Sequence, residues 1–233
     1  MTPPATDWSA PAPSGGLPDG ASPLLHDAAR VLARWLCRPV YRVRTHGVDR
    51  VPRTGPVVLV ANHSSFVEPQ LIFGMLPRRS VFLVKQELFA GPFGAGFRWI
   101  GQLPVHRGQP DRAPLLAARR LLAAGGLIGV FPEGARGDGK VSGAEQGAAW
   151  LVRASGAMVL PVACRGTWRP PGSRRRFRPR VDVAVGEPFA LEVGRGRAGL
   201  ADATEEIRST LAAQVTELDR MRAERGNSGT DRR

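Results

Sequence analysis

The chain has 233 residues, 42% hydrophobic and 23% charged, which suits one α/β domain with a sizeable core and excludes wholesale disorder. Lysine and arginine total 33 against 20 acidic residues, and the resulting charge of +13 suits nucleic acid, an anionic membrane or a phosphorylated substrate equally. No apolar run approaches the ~18 residues of a transmembrane helix, and the N-terminus does not have the pattern of a secretory signal. Two cysteines, Cys37 and Cys164, are too few for a disulfide framework.

The N-terminal region divides into two segments. Residues 1–23 are rich in Pro, Gly, Ala and Ser without periodicity, which predicts disorder. Residues 24–42 predict an amphipathic helix ended by Pro39, with His26, Asp27 and several arginines on its polar positions. This helix either packs on the domain or lies in a membrane interface. Its apolar stripe consists of Leu24, Leu25, Ala28, Val31, Leu32, Trp35 and Leu36.

Strand and helix patterns alternate along the rest of the chain. Strands are predicted from residue 43 and at 56–61, 80–85, 127–134, 158–166 and 178–189. Helices are predicted at 70–76, 113–126, 143–157 and 203–224. This alternation predicts an α/β domain over residues 43–225, with a mostly parallel central sheet flanked by helices. Residues 226–233 are predicted to be a flexible tail.

A histidine and a glutamate follow the buried strand 56–61, at the kind of strand end where α/β proteins place active sites. On a helix, the five-residue spacing of His63 and Glu68 would turn their side chains about 140° apart. Pro69 disfavours helical geometry at Glu68, so residues 63–68 are predicted to form a turn that returns the carboxylate to the imidazole. Such a pair can act as a general base, or can simply cap a turn.

A glycine-rich loop over residues 131–139 follows another predicted strand. Its glycines allow close backbone approach to a ligand, and Arg136 can fork onto a phosphate. Glu133, just beyond a buried strand, needs a polar partner or a functional reason. The loop does not have the spacing and lysine of a nucleotide-binding P-loop, so it predicts either an anion site or an ordinary turn.

Four motifs, taken in order, resemble those of glycerolipid acyltransferases of the lysophosphatidate acyltransferase type. The family pattern is NHxSxxD, then G-x-[IVLF]-x-[IV]-x-R, then FPEGTR or FPEGSR, then a V-P-V-type strand. The corresponding segments here are 62–68, 101–107, 131–136 and 159–162, and the resemblance covers roughly residues 43–190. Two positions depart from the pattern: Glu68 replaces the usual aspartate, and Ala135 replaces the usual hydroxyl residue.

The resemblance implies transfer of a fatty acyl group from acyl-CoA or acyl carrier protein to the hydroxyl of a lysophospholipid, chiefly 1-acyl-sn-glycerol 3-phosphate. His63 would take the hydroxyl proton, and Glu68 would orient the imidazole and stabilise its charge. No metal and no cofactor other than the acyl donor is expected. The acceptor-binding residues would be Lys85, Arg107 and Arg136, which would hold its phosphate, and Glu133 and Gly134, which would shape the acceptor site.

Seven arginines and no acidic residue lie between residues 165 and 180. They suit anionic lipid headgroups, nucleic-acid phosphates or a solvated loop. No RNA- or DNA-binding motif accompanies them, so nucleic acid is not expected. We therefore expect a peripheral protein on the cytoplasmic face of the cell membrane. The alternatives are an acyltransferase for glycerol 3-phosphate or another lipid alcohol, and a non-catalytic basic membrane-binding domain.

Overall fold

The structure is a computed structural model that describes residues 16–90, 94–105, 112–134, 136–168, 172–173 and 177–228. Within these ranges it contains one sheet and six α-helices. The strands are β1 (Arg42–His46), β2 (Val57–Ala61), β3 (Val81–Lys85), β4 (Leu103–Val105), β5 (Leu127–Val130), β6 (Met158–Arg165) and β7 (Arg180–Val185). The helices are α1 (Pro23–Val40), α2 (Glu68–Met75), α3 (Gly94–Trp99), α4 (Ala113–Ala123), α5 (Gly147–Ser155) and α6 (Gly196–Ser228).

The seven strands form a sheet in the order β1-β7-β6-β2-β5-β3-β4. All neighbouring pairs are parallel except β6 and β7, which run antiparallel. This arrangement confirms the predicted α/β fold with a mostly parallel central sheet. Because β5, β2 and β6 are parallel neighbours, the loops that follow them leave the sheet at one edge, where such folds bind ligands.

Helices cover both faces of the sheet. Strand β2 is wholly buried, and its alternate residues enter two different apolar clusters. Val58 and Val60 pack in the cluster that contains α4, α5 and α6, whereas Val57, Leu59 and Ala61 pack in the cluster with α2. Burial on both faces explains why these strands are continuous apolar runs rather than alternating ones.

Helix α1 packs on the domain through His26, Ala29, Ala33 and Cys37, and it exposes its apolar stripe. His26 is fully buried, with Nδ1 2.6 Å from the carbonyl oxygen of Ile100, and burial lowers its pKa. Asp27 binds Arg79 at 2.7 Å. An added Cβ at Gly74 of α2 would lie 2.8 Å from the α1 backbone, so glycine allows the two helices to approach closely. The exposed side chains include Leu24, Val31, Leu32, Trp35 and Leu36.

Several sequence-based boundaries need correction. Residues 16–22 belong to the segment predicted to be disordered, but Leu17 packs against the core and Ser22 N–H bonds the Trp99 carbonyl at 2.8 Å. Helix α1 passes through Pro39, since its ring lies on the exposed side of the last turn. Helix α6 begins earlier than predicted and continues to Ser228, into the predicted tail. Helix α3 and strand β4 have no counterpart among the predicted elements, because α3 contains two glycines and β4 has only three residues.

No helix within the described ranges has the length and apolarity needed to cross a bilayer. The predicted residues that fall outside those ranges are Arg107, Ala135, Arg169 and Arg174–Arg176, together with residues 1–15 and 229–233.

Candidate active site

The candidate site forms where β2, β5 and β6 end side by side. Asn62, the first residue after β2, is fully buried and joins two of these strand ends. Its side-chain amide donates to the Cys164 carbonyl at 3.0 Å, and its Oδ1 accepts the Cys164 N–H at 2.7 Å. These two hydrogen bonds continue the pairing of β2 with β6 by one residue, with a side chain in place of backbone. They therefore fix the position where the His63 turn begins.

The turn after Asn62 brings His63 and Glu68 together. Nδ1 of His63 lies 3.1 Å from Oε2 of Glu68. Glu68 is the first residue of α2 and is followed by Pro69, so the predicted turn occupies residues 63–67 and ends one position earlier than expected. The helix begins here because proline is well suited to the first turn and the helix dipole favours a carboxylate at this end.

Glu68 is a buried carboxylate surrounded by donors. Its Oε2 also accepts the backbone N–H groups of Ser64 at 2.7 Å and Ser65 at 3.0 Å. Its Oε1 accepts the hydroxyls of Ser64 and Thr167, the latter at 2.6 Å. Burial opposes ionisation, but the bonds from His63, Ser64, Thr167 and Ser65 outweigh it and hold the pKa of Glu68 below its ordinary value. The group is therefore a carboxylate at neutral pH.

The ionised carboxylate determines how His63 is protonated. Because an acceptor faces Nδ1, that nitrogen carries the proton in the neutral ring and Nε2 keeps its lone pair. No described residue hydrogen-bonds Nε2. The ring packs on Phe131 with centroids 4.5 Å apart, and the histidine is 6% exposed. The arrangement is that of a general base oriented by a carboxylate.

Glu133 holds the backbone of His63. Its Oε1 accepts the His63 N–H at 2.7 Å, while the N–H of Gly137 donates to the His63 carbonyl at 2.9 Å. Burial raises the pKa of Glu133, and the bond from His63 opposes that rise in part. The loop after β5 is thus bound to the histidine on both sides, which gives Glu133 the polar partner that its position required.

The glycine-rich loop curves around the turn. Gly134 has φ +67°, and an added Cβ would lie 2.3 Å from a carboxylate oxygen of Glu145, so both conformation and space require glycine. Gly139 has φ +73°, and its Cβ would lie 2.9 Å from the Asn62 amide nitrogen. Arg136 is exposed and immediately precedes the residue bonded to His63. The loop therefore brings the Arg136 backbone next to a residue that contacts the histidine.

Three of the described basic residues outside the His63 turn and the glycine-rich loop have partners other than the histidine. Lys85 ends β3, which is separated from β2 by β5, and its ammonium pairs with Glu87 at 3.0 Å. Within the arginine-rich segment, Arg165 binds Asp219 of α6 at 2.9 Å, so it holds α6 rather than facing a ligand. Arg178 donates to the Arg38 carbonyl at 3.0 Å. Arg107 lies outside the described residues.

Comparison with known proteins agrees with this geometry. A family model described as "Acyltransferase" matches residues 42–165. The 1-acyl-sn-glycerol-3-phosphate acyltransferase of Bacillus subtilis (strain 168) is 26% identical over 187 residues, which are 77% of this chain and 91% of that protein. The enzyme of the same name from Chlamydomonas reinhardtii is 32% identical over 195 residues, 78% of this chain and 57% of the relative.

A solved structure shows the same architecture. The crystal structure of the 1-acyl-sn-glycerophosphate (LPA) acyltransferase PlsC from Thermotoga maritima matches with a TM-score of 0.68 and 25% identity. The match covers 83% of this chain and 79% of that one. The family model spans the His63 turn, the Glu133 loop and β6. The chain therefore belongs to the Acyltransferase family, and the relatives and the solved structure that it resembles are 1-acyl-sn-glycerol-3-phosphate acyltransferases.

Proposed function

We propose that this protein transfers a fatty acyl group from a thioester donor to the free hydroxyl of 1-acyl-sn-glycerol 3-phosphate, which gives phosphatidate. The observation that carries the proposal is the buried Glu68 carboxylate 3.1 Å from Nδ1 of His63, at the strand edge of an acyltransferase fold. The names of the relatives from Bacillus subtilis and Chlamydomonas reinhardtii support this acceptor.

In the proposed reaction His63 acts as the base. Its Nε2 takes the proton of the acceptor hydroxyl while that oxygen attacks the thioester carbonyl. Glu68 stabilises the imidazolium that forms. The C–S bond then breaks, and the imidazolium returns its proton to the departing thiolate. The serines of the turn need not form an acyl-enzyme, since Ser64 is engaged with Glu68 through both its backbone and its hydroxyl.

The acceptor phosphate is proposed to bind Arg136, which is exposed beside the His63 carbonyl contact. Arg107 and Lys85 are proposed as further phosphate contacts. Lys85 would exchange its partner Glu87 for phosphate at little cost, because both side chains of that ion pair are about half exposed or more. Glu133 and Gly134 contribute by fixing the shape of the site. The donor is acyl-CoA or acyl carrier protein, and the reaction proceeds without a metal or other cofactor.

The exposed stripe of α1 supports a peripheral position on the cytoplasmic face of the membrane. A helix that exposes Leu32, Trp35 and Leu36 leaves apolar area that an interface would cover. Arg34 and Arg38 are exposed on the same helix and suit anionic headgroups. Phe66 lies in the turn beside Glu68, Trp168 follows Thr167, and both side chains are about half exposed. Apolar side chains are therefore exposed next to the site, where a lipid acceptor would enter, as well as on α1.

The proposal is tested by supplying purified protein with oleoyl-CoA or oleoyl-acyl carrier protein and a panel of acceptors. The panel contains 1-acyl-sn-glycerol 3-phosphate, glycerol 3-phosphate, lysophosphatidylcholine and monoacylglycerol, with products resolved by mass spectrometry. Phosphatidate should be the main product. Preferred acylation of another acceptor would reassign the substrate, and folded protein that acylates none of them with either donor would contradict the proposal.

A further inference from the structure

Thr167 contacts the dyad from a distant part of the chain. It lies two residues beyond the end of β6 and belongs to none of the four sequence motifs. Its hydroxyl is nevertheless 2.6 Å from Oε1 of Glu68, across 99 residues of sequence. We propose that Thr167 is a positioning residue whose hydroxyl sets the rotation of the Glu68 carboxylate and thereby keeps Oε2 on Nδ1 of His63. This inference rests on the proposed function.

The two oxygens of Glu68 have different surroundings. Oε2 receives His63 Nδ1 and two backbone N–H groups, all from the turn itself. Oε1 receives two hydroxyls, from Ser64 and from Thr167. Among described residues, Thr167 is thus the one donor to this carboxylate from outside the turn. Rotation of the carboxylate away from the imidazole would break the Thr167 bond, so this bond resists that rotation.

The length of Glu68 explains why an outside donor is needed. Glutamate has one more rotatable bond than the aspartate usual in the family, and its carboxylate extends further by about one C–C bond, ~1.5 Å. A buried carboxylate that lacks donors is costly, so each oxygen must be satisfied where it comes to rest. Thr167 supplies a donor at the position that the longer side chain reaches.

The segment that carries Thr167 is itself held rigidly. Cys164 is bonded in both directions to Asn62. Arg165 binds Asp219 of α6 at 2.9 Å and donates to the Gly139 carbonyl at 3.0 Å. Gly166 has φ +95° and would place a Cβ 2.0 Å from the Arg180 carbonyl, so the chain turns tightly there. A hydroxyl in a fixed position can orient a flexible carboxylate, whereas a mobile one cannot.

The substitution Thr167→Val removes the hydroxyl at nearly constant volume. We expect kcat to fall about tenfold, the usual scale for loss of one hydrogen bond to a charged group. The KM for the acceptor should change less than about twofold, because Thr167 is not assigned to its binding. The loss should fall on kcat because a positioning residue acts on the reacting pair rather than on acceptor binding, and Thr167→Ser should restore it.

Three comparisons isolate the effect. Thr204→Val is the matched control, because its buried hydroxyl donates to the Leu200 carbonyl within α6; it should behave as wild type. In a Glu68→Asp background, Thr167→Val should have little further effect, since the shorter side chain withdraws from the hydroxyl. The NMR resonance of the His63 Nδ1 proton, assigned with His63→Ala, reports the contact with Glu68 and does not require turnover. It should shift in Thr167→Val and return in Thr167→Ser.

The outcomes separate this inference from the proposed function. If wild-type protein acylates no acceptor, the proposed function fails, while the His63 Nδ1 proton resonance still tests the inference. A folded Thr167→Val variant with wild-type kcat and an unshifted His63 Nδ1 proton resonance would overturn the inference. Equal loss in Thr167→Val and Thr167→Ser would also overturn it, because packing rather than the hydroxyl would then be responsible. If Thr167→Val does not fold, Thr167→Ala replaces it in the same comparisons.

Discussion

The substitution Glu68→Gln tests the dyad most sharply, because it removes the charge and keeps the shape. A glutamine oxygen at the Oε2 position can still accept from His63 Nδ1 and from the Ser64 and Ser65 N–H groups. Its NH₂ group would then face the hydroxyls of Ser64 and Thr167, which can rotate to accept. We therefore expect the variant to fold and to keep the hydrogen bonds of the turn, but to have no negative charge next to the imidazolium.

The magnitude follows from the distance. A unit charge 3.1 Å from a developing imidazolium contributes about 5 kcal/mol at an effective dielectric constant of ~20, which is an upper estimate. Counting only the difference between a charged and a neutral hydrogen bond gives about 1–2 kcal/mol. The corresponding fall in kcat/KM lies between about tenfold and ~10⁴-fold, and we expect at least 100-fold.

The assay is the rate of phosphatidate formation from 1-acyl-sn-glycerol 3-phosphate at saturating acyl donor. Circular dichroism and urea unfolding should show that Glu68→Gln remains folded, and Thr204→Val should have wild-type activity. A folded Glu68→Gln variant with wild-type kcat/KM would refute the dyad, because the charge would then contribute nothing to the proton transfer.

Three further predictions concern acid stability, the acceptor and the membrane. The pKa of Glu68 is depressed in the folded state, so the ionised carboxylate stabilises the fold above its ordinary pKa of 4.5, and this stabilisation is lost as pH falls through the folded pKa. The free energy of unfolding in urea should therefore fall less on acidification in Glu68→Gln than in wild type. Parallel pH profiles of the two proteins would contradict this. Arg136→Ala should raise the KM for 1-acyl-sn-glycerol 3-phosphate about tenfold but not that for monoacylglycerol, and equal effects on both would exclude phosphate binding. Leu32→Ser with Trp35→Ser should weaken sedimentation with phosphatidylglycerol vesicles at an unchanged urea midpoint, whereas Leu116→Ser, equally apolar and exposed on α4, should not. Unchanged sedimentation of the double variant would remove α1 from the membrane contact.

Much of the fold was predictable because local patterns agree with it. Strand β2 is an unbroken apolar run since both of its faces are covered, and the helix after it begins at Glu68 because Pro69 is tolerated in a first turn. The meeting of His63 with Glu68 could be anticipated from the same proline, since a helix through both residues would have separated them.

Contacts between distant segments could not be predicted. The nearby sequence predicts neither the two hydrogen bonds between Asn62 and Cys164 nor the bond from Thr167 to Glu68. Each of them depends on β2 and β6 being neighbours in the sheet. Glu133 is predicted to shape the acceptor site, but the bond that its Oε1 accepts from the His63 backbone could not be predicted from the sequence. A polar residue directly after a buried strand was the available signal, and it indicates a partner without identifying it.

The sequence of α1 also does not predict which face of the helix packs on the domain. Hydrophobic periodicity predicts which residues share a face but not which face meets the protein. Here His26 and Asp27 find polar partners in Ile100 and Arg79, so this side of the helix packs inward and the apolar stripe remains outside. These polar contacts, together with Ala29, Ala33 and Cys37 in the cluster with α2, hold the helix on the domain in place of the apolar stripe.

The most direct test of the central claim compares wild-type protein with His63→Ala at equal concentration. Both samples receive an acyl donor and 1-acyl-sn-glycerol 3-phosphate, and phosphatidate is quantified over time. We predict steady product formation by wild type and loss of at least 10³-fold in His63→Ala, which circular dichroism should show to be folded because the two core clusters are made by other residues. Phosphatidate formation at the wild-type rate by folded His63→Ala would contradict the assignment of His63 as the base.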